Sequence, residues 1–177
     1  MPYSNPQALV STEWVAEHMS APDVHIVDCT YYLPNDGRKG SEEYAKQHLE
    51  GAVFFDIDDV KDPDNPLPHM VPQAEVFSSK VRKLGLGDGT RIICYDHNGG
   101  GMAAARVWWM FRLFGHEDVA VMDGGLPKWL AENRPVTDEV PQPQERHFTP
   151  RENHFLLRSI DQARADLDSG RETIVDV

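Results

Sequence analysis

The chain has 177 residues, of which 40% are hydrophobic and 26% are charged. This length suits one domain and a remnant of a second, taking about 150 residues per domain, and the composition is that of a globular protein. A formal net charge of -12 repels phosphate backbones, so nucleic acid is not expected as a partner. No apolar run approaches the ~20 residues of a membrane helix, and the N-terminus does not resemble a signal peptide, so we expect no membrane association and predict a cytoplasmic location.

The two cysteines, Cys29 and Cys94, each lie within an apolar run. Two cysteines without matching histidine spacing make neither a disulfide framework nor a zinc site. We therefore predict reduced thiols in the core and expect no metal and no cofactor.

Short apolar runs between polar turns predict strands, and apolar residues at helical spacing predict helices. In chain order we predict a helix at 9–19 with Ser11 or Thr12 as its N-cap, a strand at 25–29, a helix at 41–48, a strand at 51–55, a proline-rich loop at 56–71, a helix at 74–84, a strand at 91–95, a helix at 103–114, a strand at 119–122 and a helix at 126–132. This alternation predicts an α/β fold with a mainly parallel sheet that helices cover on both faces.

A constant offset of 148 positions superposes the end of the chain on its beginning. The identical pairs are Leu9 and Leu157, Ser11 and Ser159, Ile26 and Ile174, Val27 and Val175, and Asp28 and Asp176. The spacing favours an internal duplication, and chance similarity between two helix-strand units is the alternative. We predict an N-terminal domain at 1–135, a linker at 136–154 and the truncated start of a second domain at 155–177. We expect the natural protein to continue past Val177, because a strand ending there leaves backbone groups unpaired.

Five runs carry a resemblance to a known family. They are Leu-Val-Ser-Thr-Glu-Trp at 9–14, His-Leu-Glu-Gly-Ala-Val-Phe-Phe-Asp-Ile-Asp at 48–58, Pro-Leu-Pro-His-Met at 66–70, Ala-Arg-Val-Trp-Trp-Met-Phe-Arg at 105–112 and Asp-Gly-Gly-Leu at 123–126. Together they resemble the N-terminal domain of tandem-rhodanese sulfurtransferases, which include thiosulfate sulfurtransferase and 3-mercaptopyruvate sulfurtransferase. The resemblance implies a rhodanese-like three-layer α/β/α fold.

The resemblance also implies two domains with different roles, of which only one carries the nucleophile. In that family the nucleophilic cysteine normally lies in the C-terminal domain, at the end of its central strand, and the corresponding residue here is Asp96. The cysteine takes sulfur from a small anionic donor, thiosulfate or 3-mercaptopyruvate, and passes it from a persulfide to cyanide or a thiol. Its expected place is about 148 positions after Asp96, in the protein's own C-terminal domain. This segment alone is therefore predicted to be inactive.

The loop between the strand at 91–95 and the next helix is predicted to be a degenerate active-site loop. It consists of Asp96, His97, Asn98, Gly99, Gly100, Gly101 and Met102. A persulfide is negatively charged and needs backbone amides at a helix N-terminus. Asp96 is itself an anion and is predicted to occupy that ring of amides as a helix cap. Cys94 is a less favoured replacement nucleophile, because a central strand offers it no path to substrate.

Asp58 and His69 flank the proline-rich loop and resemble residues that mercaptopyruvate-type members direct across the cleft, toward a serine of the second domain. A carboxylate that orients an imidazole fixes its tautomer and raises its basicity, so we predict a supporting proton relay. The alternative is that His69 caps a turn and Asp58 is a solvated acid. Tyr31 stands where the family more often has a tryptophan and is a candidate for the substrate cleft. Arg106 is predicted to form an internal ion pair, with a substrate contact as the less favoured alternative.

Two other classes of function remain as alternatives. The chain could be a free-standing rhodanese-like module that binds or regulates without catalysis. A phosphatase, built on the related scaffold with a cysteine in the same loop, is disfavoured, because it needs a cysteine at the position of Asp96.

Overall fold

The computed structural model describes residues 7–99 and 101–175. Its sheet has five strands: β1 (Leu9–Val10), β2 (Val24–Asp28), β3 (Val53–Phe54), β4 (Arg91–Tyr95) and β5 (Val119–Met122). They lie in the order β1-β5-β4-β2-β3, and every pairing between them is parallel. The central position of β4 follows from its composition, because the apolar run Ile-Ile-Cys-Tyr is fully buried and such runs suit a sheet covered on both faces.

Helices cover both faces of this sheet. They are α1 (Thr12–His18), α2 (Gly40–Lys46), α3 (Ala74–Lys83), α4 (Ala103–Leu113) and α5 (Gly125–Ala131). A further helix, α6 (Ile160–Ser169), follows in the last segment and has no buried residue. Helices α3 and α4 pack their buried aromatic residues, Phe77 and Phe111, on one face. Helices α1 and α5 bury Val15 and Trp129 on the other face. The predicted three-layer α/β/α fold with a parallel sheet is thereby confirmed.

The predicted first helix, at 9–19, is wrong at its beginning. Residues Leu9 and Val10 form β1 and pair with Val121 and Met122 of β5. A two-residue edge strand is too short for any periodicity to distinguish it from the first turn of a helix. The helix α1 starts at Thr12, and the Ser11 hydroxyl accepts a hydrogen bond from the Trp14 N–H at 3.1 Å. The prediction of Ser11 as a possible N-cap is confirmed.

The segment 136–154 contains no α-helix, and it packs closely on the domain. Thr137 forms an isolated bridge with His48, and Phe148 is buried against the aromatic residues of α3 and α4. The Ser78 hydroxyl donates a hydrogen bond to the carbonyl of Phe148 at 2.9 Å. Whatever follows it, this segment is part of the folded body of the domain.

The described part of the last segment begins with a 3-10 turn at His154–Leu156 and continues into α6. Ser159 caps α6 with its hydroxyl and Gln162 returns a bond to the Ser159 N–H, which makes a full capping box. Asp176, which belongs to one of the five identical pairs of the predicted repeat, and Val177 lie outside the described residues.

None of the helices in the described ranges combines the length and the apolar character that crossing a membrane requires.

If Phe148 anchors the segment 136–154, replacing it with alanine should destabilise the domain by about 3–5 kcal/mol, as for other buried phenylalanines. Val140 lies in the same segment with half of its surface exposed, so Val140→Ala should leave the unfolding midpoint nearly unchanged. Urea unfolding of both variants measures the difference. Equal midpoints for the two variants would show that the segment is not anchored by this side chain.

Candidate functional site

The loop that the sequence predicts to be a degenerate active-site loop begins at Asp96, directly after β4. The Asp96 side chain is fully buried, and its two oxygens accept hydrogen bonds from the Asn98 N–H and the Ala104 N–H, both at 3.0 Å. Ala104 is the second residue of α4, whose boundary residue Met102 makes no side-chain cap of its own. The carboxylate therefore takes the place at the start of this helix where a bound anion would interact with the backbone amides.

The next two residues of the loop tie it to the end of β2. The His97 imidazole lies 3.1 Å from the fully buried carboxylate of Asp28, and the His97 N–H donates to the Thr30 hydroxyl at 3.1 Å. The Asn98 side-chain amide donates to the carbonyl of Tyr31 at 3.1 Å. The sequence did not predict the contact between Asp28 and His97, and its one signal was a carboxylate at the end of a buried apolar run.

The remaining loop residues turn the chain into α4. Gly99 has a φ of 98°, a region that residues with a Cβ rarely adopt. Gly101 and Met102 are exposed, with 47% of Met102 accessible to solvent. Gly100, which the prediction also included, lies outside the described residues.

The structure brings Asp58 and His69 together across the proline-rich loop. His69 Nε2 lies 3.0 Å from Asp58 Oδ1, and the two side chains keep 30% and 51% of their surfaces exposed. Lys61 Nζ lies 3.5 Å from the same oxygen of Asp58. A hydrogen bond from the imidazole to this carboxylate leaves the other ring nitrogen available to exchange a proton.

Tyr31 joins this pair to the degenerate loop. Its ring meets the His69 imidazole edge-on, with 4.9 Å between the ring centroids and 82° between the planes. Partial burial and the nearby carboxylates of Asp58 and Asp56 raise the pKa of the Tyr31 phenol, so the hydroxyl stays protonated at neutral pH. Because Asn98 holds the carbonyl of Tyr31, the loop at 96–102 and the Asp58–His69 pair form one connected site.

The prediction of an internal ion pair for Arg106 is wrong within the described ranges. Arg106 Nη2 donates a hydrogen bond to the carbonyl of His69 at 2.8 Å, and the guanidinium stacks 4.6 Å from the centre of the Trp109 ring. Burial lowers the pKa of this guanidinium, although an arginine at that position remains charged at neutral pH. A carbonyl and an aromatic face replace the expected carboxylate, because the chain brings the loop at 56–71 over this part of α4.

Both thiols lie in the core. Cys29 and Cys94 are fully buried and unpaired by disulfides. Burial, together with the neighbouring Cys94 thiol, raises the pKa of Cys29 well above its usual range. Neither thiol has the exposure that a nucleophilic thiolate needs.

Within the described ranges, no three histidine, cysteine, aspartate or glutamate side chains are grouped so that they could hold a metal ion.

Comparisons with known proteins agree with this architecture. The family model for the rhodanese-like domain matches residues 11–132. Human 3-mercaptopyruvate sulfurtransferase is 39% identical over 175 residues, and bovine thiosulfate sulfurtransferase is also 39% identical over 175 residues; each alignment covers 96% of this chain and 59% of the relative. The crystal structure of SseA from Escherichia coli, described as a 3-mercaptopyruvate sulfotransferase, superposes with a TM-score of 0.86 at 32% identity, covering 92% of this chain and 62% of that chain.

The domain has three layers, a parallel sheet, and a loop at the end of the central strand whose first residue caps the next helix. These features define the class of protein. The chain belongs to the rhodanese-like domain family, as the resemblance in its sequence indicated. It spans 59% of the length of the two mammalian relatives, whose names describe sulfurtransferases for two different sulfur donors.

If Asp96 holds the loop and the start of α4 together, Asp96→Ala leaves the buried N–H of Ala104 and the partly buried N–H of Asn98 without their acceptors. The loss of an acceptor costs about 1–3 kcal/mol for a buried group. Asp62 is a matched control, because its side chain accepts a hydrogen bond from the N–H two residues on, as Asp96 does, in an exposed turn. Thermal unfolding should show a clear loss for Asp96→Ala and almost none for Asp62→Ala. A similar loss in both variants would contradict the structural role of Asp96.

Proposed function

We propose that this chain is the non-nucleophilic N-terminal part of a sulfurtransferase, and that it supplies a proton relay to an active site shared with a second domain. The observation that carries the proposal is the contact between Asp58 and His69, 3.0 Å apart and partly exposed beside a loop whose own anion position is filled. Family membership supports transfer of sulfur as the reaction.

The filled loop argues for a nucleophile elsewhere. Asp96 accepts the hydrogen bonds at the start of α4 with a buried carboxylate, and a second anion there would be repelled by it at close range. Neither Cys29 nor Cys94 reaches the surface. In this proposal the persulfide therefore forms on a cysteine of the C-terminal domain, and this segment alone is inactive.

Two features support a second rhodanese-like domain after the segment 136–154. Ser159 caps α6 as Ser11 caps α1, and the two residues are related by the same offset of 148 positions as the sequence repeat. The segment also presents apolar side chains to solvent, each at least half exposed, as an element does whose packing partner is absent. These residues are Phe155, Ile160, Leu167, Ile174 and Val175.

The proposed reaction has two halves. The thiolate of the second domain attacks the terminal sulfur of the donor and forms a persulfide, and sulfite leaves when the donor is thiosulfate. With 3-mercaptopyruvate the carbon–sulfur bond breaks instead, and the carbon that loses sulfur takes up a proton to give pyruvate. The outer sulfur of the persulfide then passes to cyanide or to a thiol acceptor.

The two donors place different demands on the relay. Cleavage of 3-mercaptopyruvate moves a proton, so a histidine held by a carboxylate accelerates it as a general acid–base group. Sulfite leaves as an anion without needing a proton from the protein. The pair Asp58 and His69 therefore matters for 3-mercaptopyruvate more than for thiosulfate.

The surroundings of the relay fit a contact with another domain. Four apolar side chains in the segments that form or adjoin the site are at least 39% exposed: Leu33, Leu67, Met70 and Met102. A domain that covers them excludes water from the relay, and exclusion of water strengthens the hydrogen bond between His69 and Asp58. Tyr31, edge-on to His69, forms the wall of the proposed substrate cleft.

We keep the cytoplasm as the location in this proposal. Cys29 and Cys94 are free thiols, and a reducing compartment preserves such thiols.

Steady-state assays of the natural protein with each donor test the proposal. His69→Ala should lower kcat/KM for 3-mercaptopyruvate by about 10²-fold or more, which is the typical contribution of a positioned acid–base group, and should change turnover of thiosulfate little. His147→Ala is the control, because His147 is an exposed histidine bonded to Thr149 rather than to the relay.

Two results would overturn the proposal. Equal activity of His69→Ala and the unmodified protein with 3-mercaptopyruvate would remove the relay. Absence of sulfur transfer from both donors to cyanide and to thiols would remove the sulfurtransferase and favour a rhodanese-like module that binds or regulates.

A further inference from the structure

The backbone of His69 has a conformation that needs support. Its φ is 57°, in the left-handed region where a residue with a side chain loses roughly 1–2 kcal/mol. Residues persist in such a conformation when surrounding contacts hold them. At His69 this contact is known: Arg106 Nη2 donates to its carbonyl oxygen at 2.8 Å.

Arg106 is itself held firmly. Its guanidinium lies 4.6 Å from the centre of the Trp109 ring, and the Trp109 indole N–H donates to the carbonyl of Leu156 at 3.1 Å. Both residues belong to α4, whose start is held by Asp96. The donor that reaches His69 therefore stands on a rigid helix rather than on the proline-rich loop.

We propose that Arg106 is a positioning residue for the relay. By holding the carbonyl of His69, it keeps the imidazole between the carboxylate of Asp58 and the edge of Tyr31. The catalytic part of this inference rests on the proposed function. The structural part, that Arg106 sets the direction of the His69 ring, does not.

Helix α4 offers a matched control in Arg112. This arginine also stacks on a tryptophan of the same helix, Trp108, at 4.8 Å. It lies beside Ala8 and Glu117, in a cavity that contains no residue of the relay. Arg112→Met therefore removes a guanidinium and a cation–π contact from α4 without changing the support of His69.

The first measurement is the nuclear Overhauser effect between the ring protons of His69 and Tyr31 in the intact protein. Arg106→Met keeps a long apolar stem against Trp109 and removes the donor, so this signal should fall to less than about half, since the ring loses its fixed direction. It should persist in Arg112→Met. If Arg106→Met does not fold, Arg106→Gln keeps a polar end that is too short to reach the carbonyl and should give the same result.

The second measurement is a double-mutant cycle with 3-mercaptopyruvate as the donor. Arg106→Met should lower kcat about tenfold or more with little change in KM, because a small displacement of a catalytic group costs up to about 10²-fold. In a protein that already carries His69→Ala, the same substitution should cause no further loss, since there is no ring left to position.

The outcomes separate this inference from the proposed function. An unchanged signal between His69 and Tyr31 in the folded Arg106 variants would overturn the positioning role, and so would an equal loss of kcat with and without His69. If the signal is lost but both Arg106→Met and His69→Ala turn over 3-mercaptopyruvate normally, Arg106 positions His69 and the proposed relay is wrong.

Discussion

The carboxylate of Asp96 lies at the point where four parts of the domain meet. The carboxylate oxygens accept hydrogen bonds from the N–H groups of Asn98 and Ala104. The backbone carbonyl of Asp96 accepts one from the Leu126 N–H at 2.9 Å. The central strand, the loop at 96–102, α4 and α5 are joined through this one residue. Because the group is fully buried, these bonds cannot be exchanged for water without a large cost. The geometry of the whole carboxyl edge of the sheet depends on this buried anion.

From Asp96 the constraint reaches the pair of Asp58 and His69 by two routes. One route runs along α4 to Arg106, which holds the carbonyl of His69. The other runs through Asn98 to the carbonyl of Tyr31, whose ring meets the imidazole of His69. The proline-rich loop has little regular structure of its own, so the direction of its histidine is decided by neighbours on rigid elements. Under the proposed function, this arrangement holds a catalytic group on a loop precisely enough to act.

The sequence predicted those features that depend on neighbours along the chain. The strands at 91–95 and 119–122 were predicted with the bounds that the structure has, since apolar residues fill 92–95 and 119–122 between turns. The edge strand β1 was missed, because two residues carry no period. The contact of Asp28 with His97 joins residues 69 positions apart. The hydrogen bond from Arg106 goes to a backbone carbonyl, which every residue has, so the sequence does not reveal the acceptor. Such contacts depend on tertiary packing, which no local pattern encodes.

Under the proposed function, the aspartate at position 96 decides what the loop can bind. Amides at a helix start bind whichever anion is available, and a tethered carboxylate is available at a higher effective concentration than any dissolved donor. In this proposal Asp96 keeps an anionic substrate out of its own loop, and the overall charge of -12 adds a weaker, long-range repulsion. Under the proposed function, catalysis then occurs where another domain supplies the backbone amides. This domain contributes side chains that are exposed toward that other domain. The partly exposed pair of Asp58 and His69 is such a contribution. A group that transfers a proton has to reach the substrate directly or through one intervening group, and it does not have to lie in the same domain as the nucleophile.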